Sequence, residues 1–138
     1  MPDRPHQIIG HGVDLVPVAR IAKILDEHRE RFLERTFTPR EQADCAGHRR
    51  EPEKLASRFA AKEAVLKALG TGLTQGIFLT DVSVVSLPSG KPTIELTGQA
   101  AHIAAGLGIT RWEISLTDTD GYSMASVIAI AELPRAQE

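Results

Sequence analysis

The chain has 138 residues, 42% of them hydrophobic and 25% charged, with a formal net charge of −2. That is material for one ordinary domain, 1–138, with a real core, and it argues against a disordered segment or a nonspecific nucleic-acid binder, which would carry a basic excess. Cys45 is the single cysteine, no charged-then-apolar leader is present and no apolar run is long enough for a bilayer, so the expected setting is the reducing cytoplasm, away from membranes.

Met1 to His6 reads as a ragged start, and Gln7 to Val16 as a strand interrupted by Gly10 and Gly12. Glycine inside a strand marks a bulge or a close approach by another backbone or a ligand. Asp14 stands at the end of this strand, just before Pro17. A first helix begins there, with Val18, Ile21, Leu25 and Phe32 on one side; His28 falls on that apolar side and reads as a core or rim residue. Arg20, Lys23, Glu27 and Arg31 form a mixed stripe on the other side, which alone reads as a solvated face.

Thr38-Pro39-Arg40-Glu41 is a capping box with proline at the first helical position, so a second helix runs from there towards Gly47. Cys45 and His48 make too small a set for structural zinc. A polar link from His48 to Pro52 leads to the central helix, which Gly70 and Gly72 end. At about 100° per residue, Leu55, Phe59, Leu66 and Leu69 share one arc, and Arg58 and Lys62 fall inside it. Cations on a packed face ask for an anion from elsewhere, a carboxylate or a phosphate. The plain alternative is that both side chains reach the rim, while Glu63 and Lys67 form an ordinary helical pair. Ala56 and Ala60 lie beside that pair and leave room for a close neighbour.

After Gly72 the period becomes alternating. Val82 to Leu87 and Ile94 to Leu96 form a hairpin around Pro88-Ser89-Gly90-Lys91-Pro92. Thr97 caps a short helix ending near Gly106 and Gly108. Trp112, Ile114 and Leu116, then Met124, Ser126, Ile128 and Ile130, form a second hairpin around Asp118-Thr119-Asp120-Gly121. The expected fold is α+β, an antiparallel sheet packed on helices.

Ile9-x-x-Gly12-x-Asp14, Arg20-Ile21, Phe37-Thr38-x-x-Glu41, the run Arg58-Phe59-Ala60-Ala61-Lys62-Glu63-Ala64-x-x-Lys67-Ala68-x-Gly70-Thr71-Gly72, and Gly90-Lys91-Pro92 stand in an order that resembles the holo-[acyl-carrier-protein] synthases, the small bacterial 4'-phosphopantetheinyl transferases. The resemblance covers the chain from Ile8 to Ile130. It implies the transferase-like fold and movement of the phosphopantetheine arm from coenzyme A to a serine of apo acyl carrier protein, releasing adenosine 3',5'-bisphosphate. It implies Asp14 and Glu63 as ligands of Mg²⁺, and Glu63 and Lys67 as the catalytic pair, with Lys67 on a diphosphate oxygen and the serine proton going to a metal-bound water or to Glu63. Arg58 and Lys62 would meet the phosphates of coenzyme A. Gly70-Thr71-Gly72 and the turn through Gly90, Lys91 and Pro92 would hold its nucleotide end. Arg20, Arg29 and Arg31 would dock the acidic carrier. A homotrimer with the site between subunits is also implied, because larger relatives fuse two such units.

One departure is clear. The family reads Ser-His-Thr in the second hairpin, where this chain has Thr117-Asp118-Thr119. Asp118 is expected to turn away, to pair with Arg58 or Lys62, or to serve as a third metal ligand, the first two being preferred. Two readings from other functional classes remain beside the resemblance: a non-catalytic module for an acidic helical protein, and a metal-dependent hydrolase of nucleotide diphosphates.

Overall fold

A helix, α3 (Glu51–Leu69), runs through the middle of the fold in the computed structural model, which describes residues 5–133. It is buried on most sides: Leu55, Ala56, Ala60, Ala61, Ala64, Val65 and Leu66 are all buried, the pattern of a core helix rather than a surface one. Pro52 stands in its first turn, where a missing N–H costs nothing, and Gly70 ends it in the left-handed conformation at φ 79°.

The other elements are β1 (His6–Pro17), α1 (Val18–Thr36), α2 (Pro39–Cys45), β2 (Val82–Ser86), β3 (Pro92–Leu96), α4 (Gly98–Gly106), β4 (Ile109–Thr119) and β5 (Tyr122–Glu132). Two antiparallel sheets result: β1-β5-β4 and, separately, β2-β3. The α+β architecture expected from the sequence is therefore present, with its strands divided into two sheets. Among the described residues no helix is long and apolar enough to cross a membrane. Residues 1–4, most of the stretch read as a ragged start, lie outside the described residues, and His6 already belongs to β1.

Both readings of the β1 glycines hold together. The ladder to β5 shifts between Ile8 and Gly10, which is a bulge, and α3 crosses the strand at the glycines themselves. A Cβ on Gly10 would lie 1.9 Å from the Ala68 carbonyl oxygen, and one on Gly12 would lie 1.8 Å from that of Ala64. The sheet face under α3 is correspondingly small-featured, with Ser123, Ala125, Val127 and Ala129 fully buried. The larger residues of β5 lie on the opposite face, where Met124 stands beside Leu15 and Tyr122 beside Pro17.

Three local expectations change. Thr97 stands at the start of α4, but its hydroxyl makes no capping bond; Asp81 supplies the cap, accepting from Ala100 N at 3.4 Å. A carboxylate from the preceding turn (Leu79–Asp81) thus does the work assigned to the local threonine. His28 is exposed, and α1 breaks there (φ −143°, ψ 41°), so the helical spacing that put it on the apolar side does not carry through. The second hairpin turns at Asp120 and Gly121, both with positive φ, so Asp118 belongs to β4 rather than to the turn.

Candidate active site

The close approach of α3 to β1 makes the site. Asp14 follows Gly12 by two residues and therefore shares the strand face that meets the helix. There it confronts Glu63 and, one helical turn further on, Lys67. Lys67 Nζ donates to the Val13 carbonyl at 2.9 Å and meets Asp14 Oδ1 at a longer 3.3 Å, while its side chain stays half exposed. Partial burial and the nearby charge of Asp14 raise the pKa of Glu63, and Lys67 and Arg20 pull against that rise. Two carboxylates thus share one corner at a mutual electrostatic cost, and hard oxygen donors so arranged suit a divalent ion such as Mg²⁺, which relieves their repulsion. Among the described residues no group of three or more His, Cys, Asp or Glu is placed to hold a metal, and Asp14 and Glu63 are the two carboxylates at this corner.

Lys62 does not belong to this site, and its assignment to coenzyme A phosphates is corrected. Its side chain is 0% exposed, and its ammonium lies on Glu41 Oε1 at 2.5 Å and on the Val82 carbonyl. Desolvation lowers its pKa, and the adjacent Glu41 carboxylate works to raise it. The anion that the cation on the packed face required is thus the capping-box glutamate of α2. That glutamate also accepts from Thr38 N at 2.9 Å and from Val84 N at 3.0 Å.

Arg58 is half-buried and remains available. Its Nη1 donates to Lys54 O at 3.3 Å, and its buried Nε has no hydrogen-bond partner. An unmet donor in a cleft wall marks a place where an acceptor is missing. Arg58 borders two adjoining clefts. One lies between it, Gly90, Pro92 and Val84 on the first hairpin and Ser115 on β4. The other runs along α3 past Lys54 and Arg50 to Thr117 and Asp118. Lys91, from the same turn as Gly90, reaches Glu113 at 3.3 Å.

Asp118 takes neither of the partners expected for it. It accepts from Arg50 Nη2 at 2.7 Å, and Arg50 also meets Glu53 at 3.4 Å. Arg50 falls in the polar link of the sequence, yet Arg50, Lys54 and Arg58 recur every four residues, a spacing that aligns three cations along the start of α3. That repeat was the signal available in the sequence.

The remaining predicted residues are spread out. Gly70, Thr71 and Gly72 close the far end of α3, about 18 Å from Arg58 at about 1.5 Å per residue. Arg29 is held by Glu51 through two bonds of 2.8 and 2.7 Å. Arg31 is exposed and makes no ion pair among the described residues, and it lies beside His28, Phe32 and Arg35. Arg20 is exposed near Glu63.

A helix crossing two strand glycines, with a carboxylate pair and a lysine at the crossing, is the candidate site of this small α+β chain. The profile of the 4'-phosphopantetheinyl transferase superfamily matches residues 10–126, and the chain belongs to that family. It is similar to the holo-[acyl-carrier-protein] synthase of Rhizobium rhizogenes, 49% identical over 127 residues that cover 91% of this chain and 95% of the relative. Its fold matches the crystal structure of the holo-ACP synthase from Plasmodium yoelii with a TM-score of 0.82 and 29% identity, covering 94% of this chain and 100% of that one. The Helicobacter pylori holo-[acyl-carrier-protein] synthase, solved in complex with coenzyme A, matches with a TM-score of 0.76 and 28% identity, covering 86% of this chain and 98% of that one.

Proposed function

We propose that this chain moves the 4'-phosphopantetheine group of coenzyme A onto a serine of an apo acyl carrier protein and releases adenosine 3',5'-bisphosphate. The observation that carries the reading is the meeting of Asp14, Glu63 and Lys67 at the crossing of β1 and α3, in a chain of this family. The coenzyme A held by the Helicobacter pylori relative supports the choice of co-substrate.

In this reading the serine oxygen attacks the phosphorus that bears the pantetheine arm, and the bond from that phosphorus to the nucleotide half breaks. Asp14 and Glu63 would hold Mg²⁺, which would supply neutralisation of charge on the diphosphate oxygens. Lys67, half exposed and only loosely held by Asp14, turns its ammonium to a diphosphate oxygen as the leaving group gains charge. The serine proton goes to Glu63 or to a water at the metal, and the raised pKa of Glu63 supports the first. Arg58 meets a phosphate through its guanidinium, and the turn through Gly90, Lys91 and Pro92 holds the nucleotide end beside it. Gly70, Thr71 and Gly72 serve the same substrate from a neighbouring copy, and this is the reason for proposing a homotrimer with the site between subunits. Arg20 and Arg31 face the acidic carrier, and Arg29, tied to Glu51, contributes through that fixed position. The setting is cytoplasmic.

The test is to incubate the protein with coenzyme A, Mg²⁺ and an apo carrier and to weigh the carrier. A gain of one phosphopantetheine is expected. Coenzyme A cleaved without such a gain would make the chain a hydrolase, and an unmodified but bound carrier would make it a binding module.

A further inference from the structure

We propose that the buried Glu41–Lys62 pair sets the distance between the two parts of the substrate site, so that both residues govern coenzyme A binding without touching it. The inference rests on the transferase reading above. Its observations are geometric. Both side chains have 0% exposure, and the pair draws three elements together. Lys62 comes from the middle of α3 and binds the Val82 carbonyl of β2. Glu41 comes from α2 and takes Val84 N of β2 at 3.0 Å, and Thr38 Oγ1 of the same capping box meets Ser83 Oγ at 2.8 Å. Three consecutive residues of β2 are thus fixed to α2 and α3 by directional bonds.

What those bonds hold matters for the substrate. β2 pairs only with β3, and this hairpin shares no ladder with the three-stranded sheet. Its place relative to α3 therefore depends on side chains. Apolar contact alone is non-directional and tolerates sliding, whereas a buried charge pair with backbone partners admits one register. Val84, whose N–H Glu41 holds, lines the same cleft as Arg58, Gly90 and Pro92. The pair is therefore one residue removed from the wall of the nucleotide cleft.

The chemical corner is held differently. Asp14, Glu63 and Lys67 sit where α3 meets β1, and that crossing is fixed by Gly10 and Gly12 against the Ala68 and Ala64 carbonyls. Loosening β2 moves Gly90 and Pro92 away from Arg58 and leaves the carboxylates where they are. Glu41 and Lys62 are positioning residues, and their effect falls on KM for coenzyme A.

The experiment is steady-state kinetics of the double variant Glu41→Gln with Lys62→Met, which keeps the volume of the pair and removes both charges. KM for coenzyme A should rise about tenfold, with kcat within about twofold and KM for the carrier protein unchanged. Calorimetric titration with coenzyme A should show the same loss. A folded double variant with the natural KM for coenzyme A, or with kcat reduced and KM intact, overturns the proposal, because a merely stabilising pair would shift only the melting temperature. If the double variant does not fold, Glu41→Gln alone, which retains an oxygen for a backbone amide, should raise KM in the same direction by a smaller factor, and a natural KM there overturns the proposal as well. A natural protein that modifies no carrier overturns the transferase reading and this inference together. A natural protein that does modify it, beside an unaffected variant, overturns the inference alone.

Discussion

Asp118 Oδ2 lies 2.7 Å from Arg50 Nη2, so the carboxylate at the family's histidine position is spent on a cation that lines the same cleft as Arg58. An ionised Asp only accepts hydrogen bonds, and it repels phosphate; here it also occupies Arg50, one of three cations that line the cleft with Lys54 and Arg58 of α3. Asp118→His removes the acceptor, frees Arg50 and offers a donor in its place. Coenzyme A should bind several-fold tighter, about 1 kcal/mol, with the metal requirement unchanged. Calorimetric dissociation constants with and without Mg²⁺ check this. A large loss of metal affinity in the variant would show Asp118 to be a ligand instead.

Gly12→Ala tests the crossing that builds the site. The added Cβ would lie 1.8 Å from the Ala64 carbonyl oxygen, and both partners are backbone, so neither can swing aside. Separating α3 from β1 should cost about 3 kcal/mol or more in urea denaturation and should take Asp14 away from Glu63, with loss of transfer. Natural stability with natural activity would mean that the crossing is not needed to form the site.

Much of this was readable because it is local. The Thr38–Glu41 capping box, the Gly70 stop and the turn through Gly90 each declare themselves within a few residues, and the α+β pattern follows from a change of hydrophobic period. The strand glycines announced a close approach but not by what. What escaped depends on partners remote in sequence. Lys62 finds Glu41 across 21 residues, Ala100 finds Asp81 across 19, and Asp118 finds Arg50 across 68. The sheet face under α3 was missed for another reason. Ser123 and Ala125 are buried because they are small, whereas alternation of large apolar residues points to Met124 and its neighbours on the opposite face.

The carboxylate corner predicts a metal requirement and a pH dependence that share one cause. Asp14→Ala or Glu63→Ala should weaken Mg²⁺ binding and transfer together, and chelation should abolish transfer; full activity at limiting Mg²⁺ would remove that residue from the ligand set. Without metal the folded chain holds a proton on Glu63 more tightly than the unfolded chain does. Its carboxyl therefore favours the folded state at low pH, and that contribution is lost as pH rises from the ordinary glutamate value through the raised one. Glu63→Gln should flatten this slope in melting temperatures taken across the acidic range, and Mg²⁺ should offset the loss in the natural protein. An unchanged slope in the variant would assign it to another group.

The last prediction concerns assembly. The face of the three-stranded sheet turned away from α3 carries Val13, Leu15 and Met124 in adjoining positions, with Tyr122 at its end, and Leu15 is 59% exposed. Apolar side chains grouped on an uncovered sheet face are stabilised by burial against another surface, and the expected cover is a further copy of the chain. The chemistry asks for the same thing. Arg58 and the Gly70 loop stand about 18 Å apart along one helix, so in the proposed function a neighbouring copy would bring the second to the first. Leu15→Glu with Met124→Glu should convert the assembly to monomers in light scattering, and carrier modification should fall with it, since half of the cleft is lost. Secondary structure by circular dichroism should stay, because neither residue packs against α3. Monomers of the natural protein that are active at assay concentration would show that one chain completes its own cleft, and the placement of the site between subunits would then be wrong.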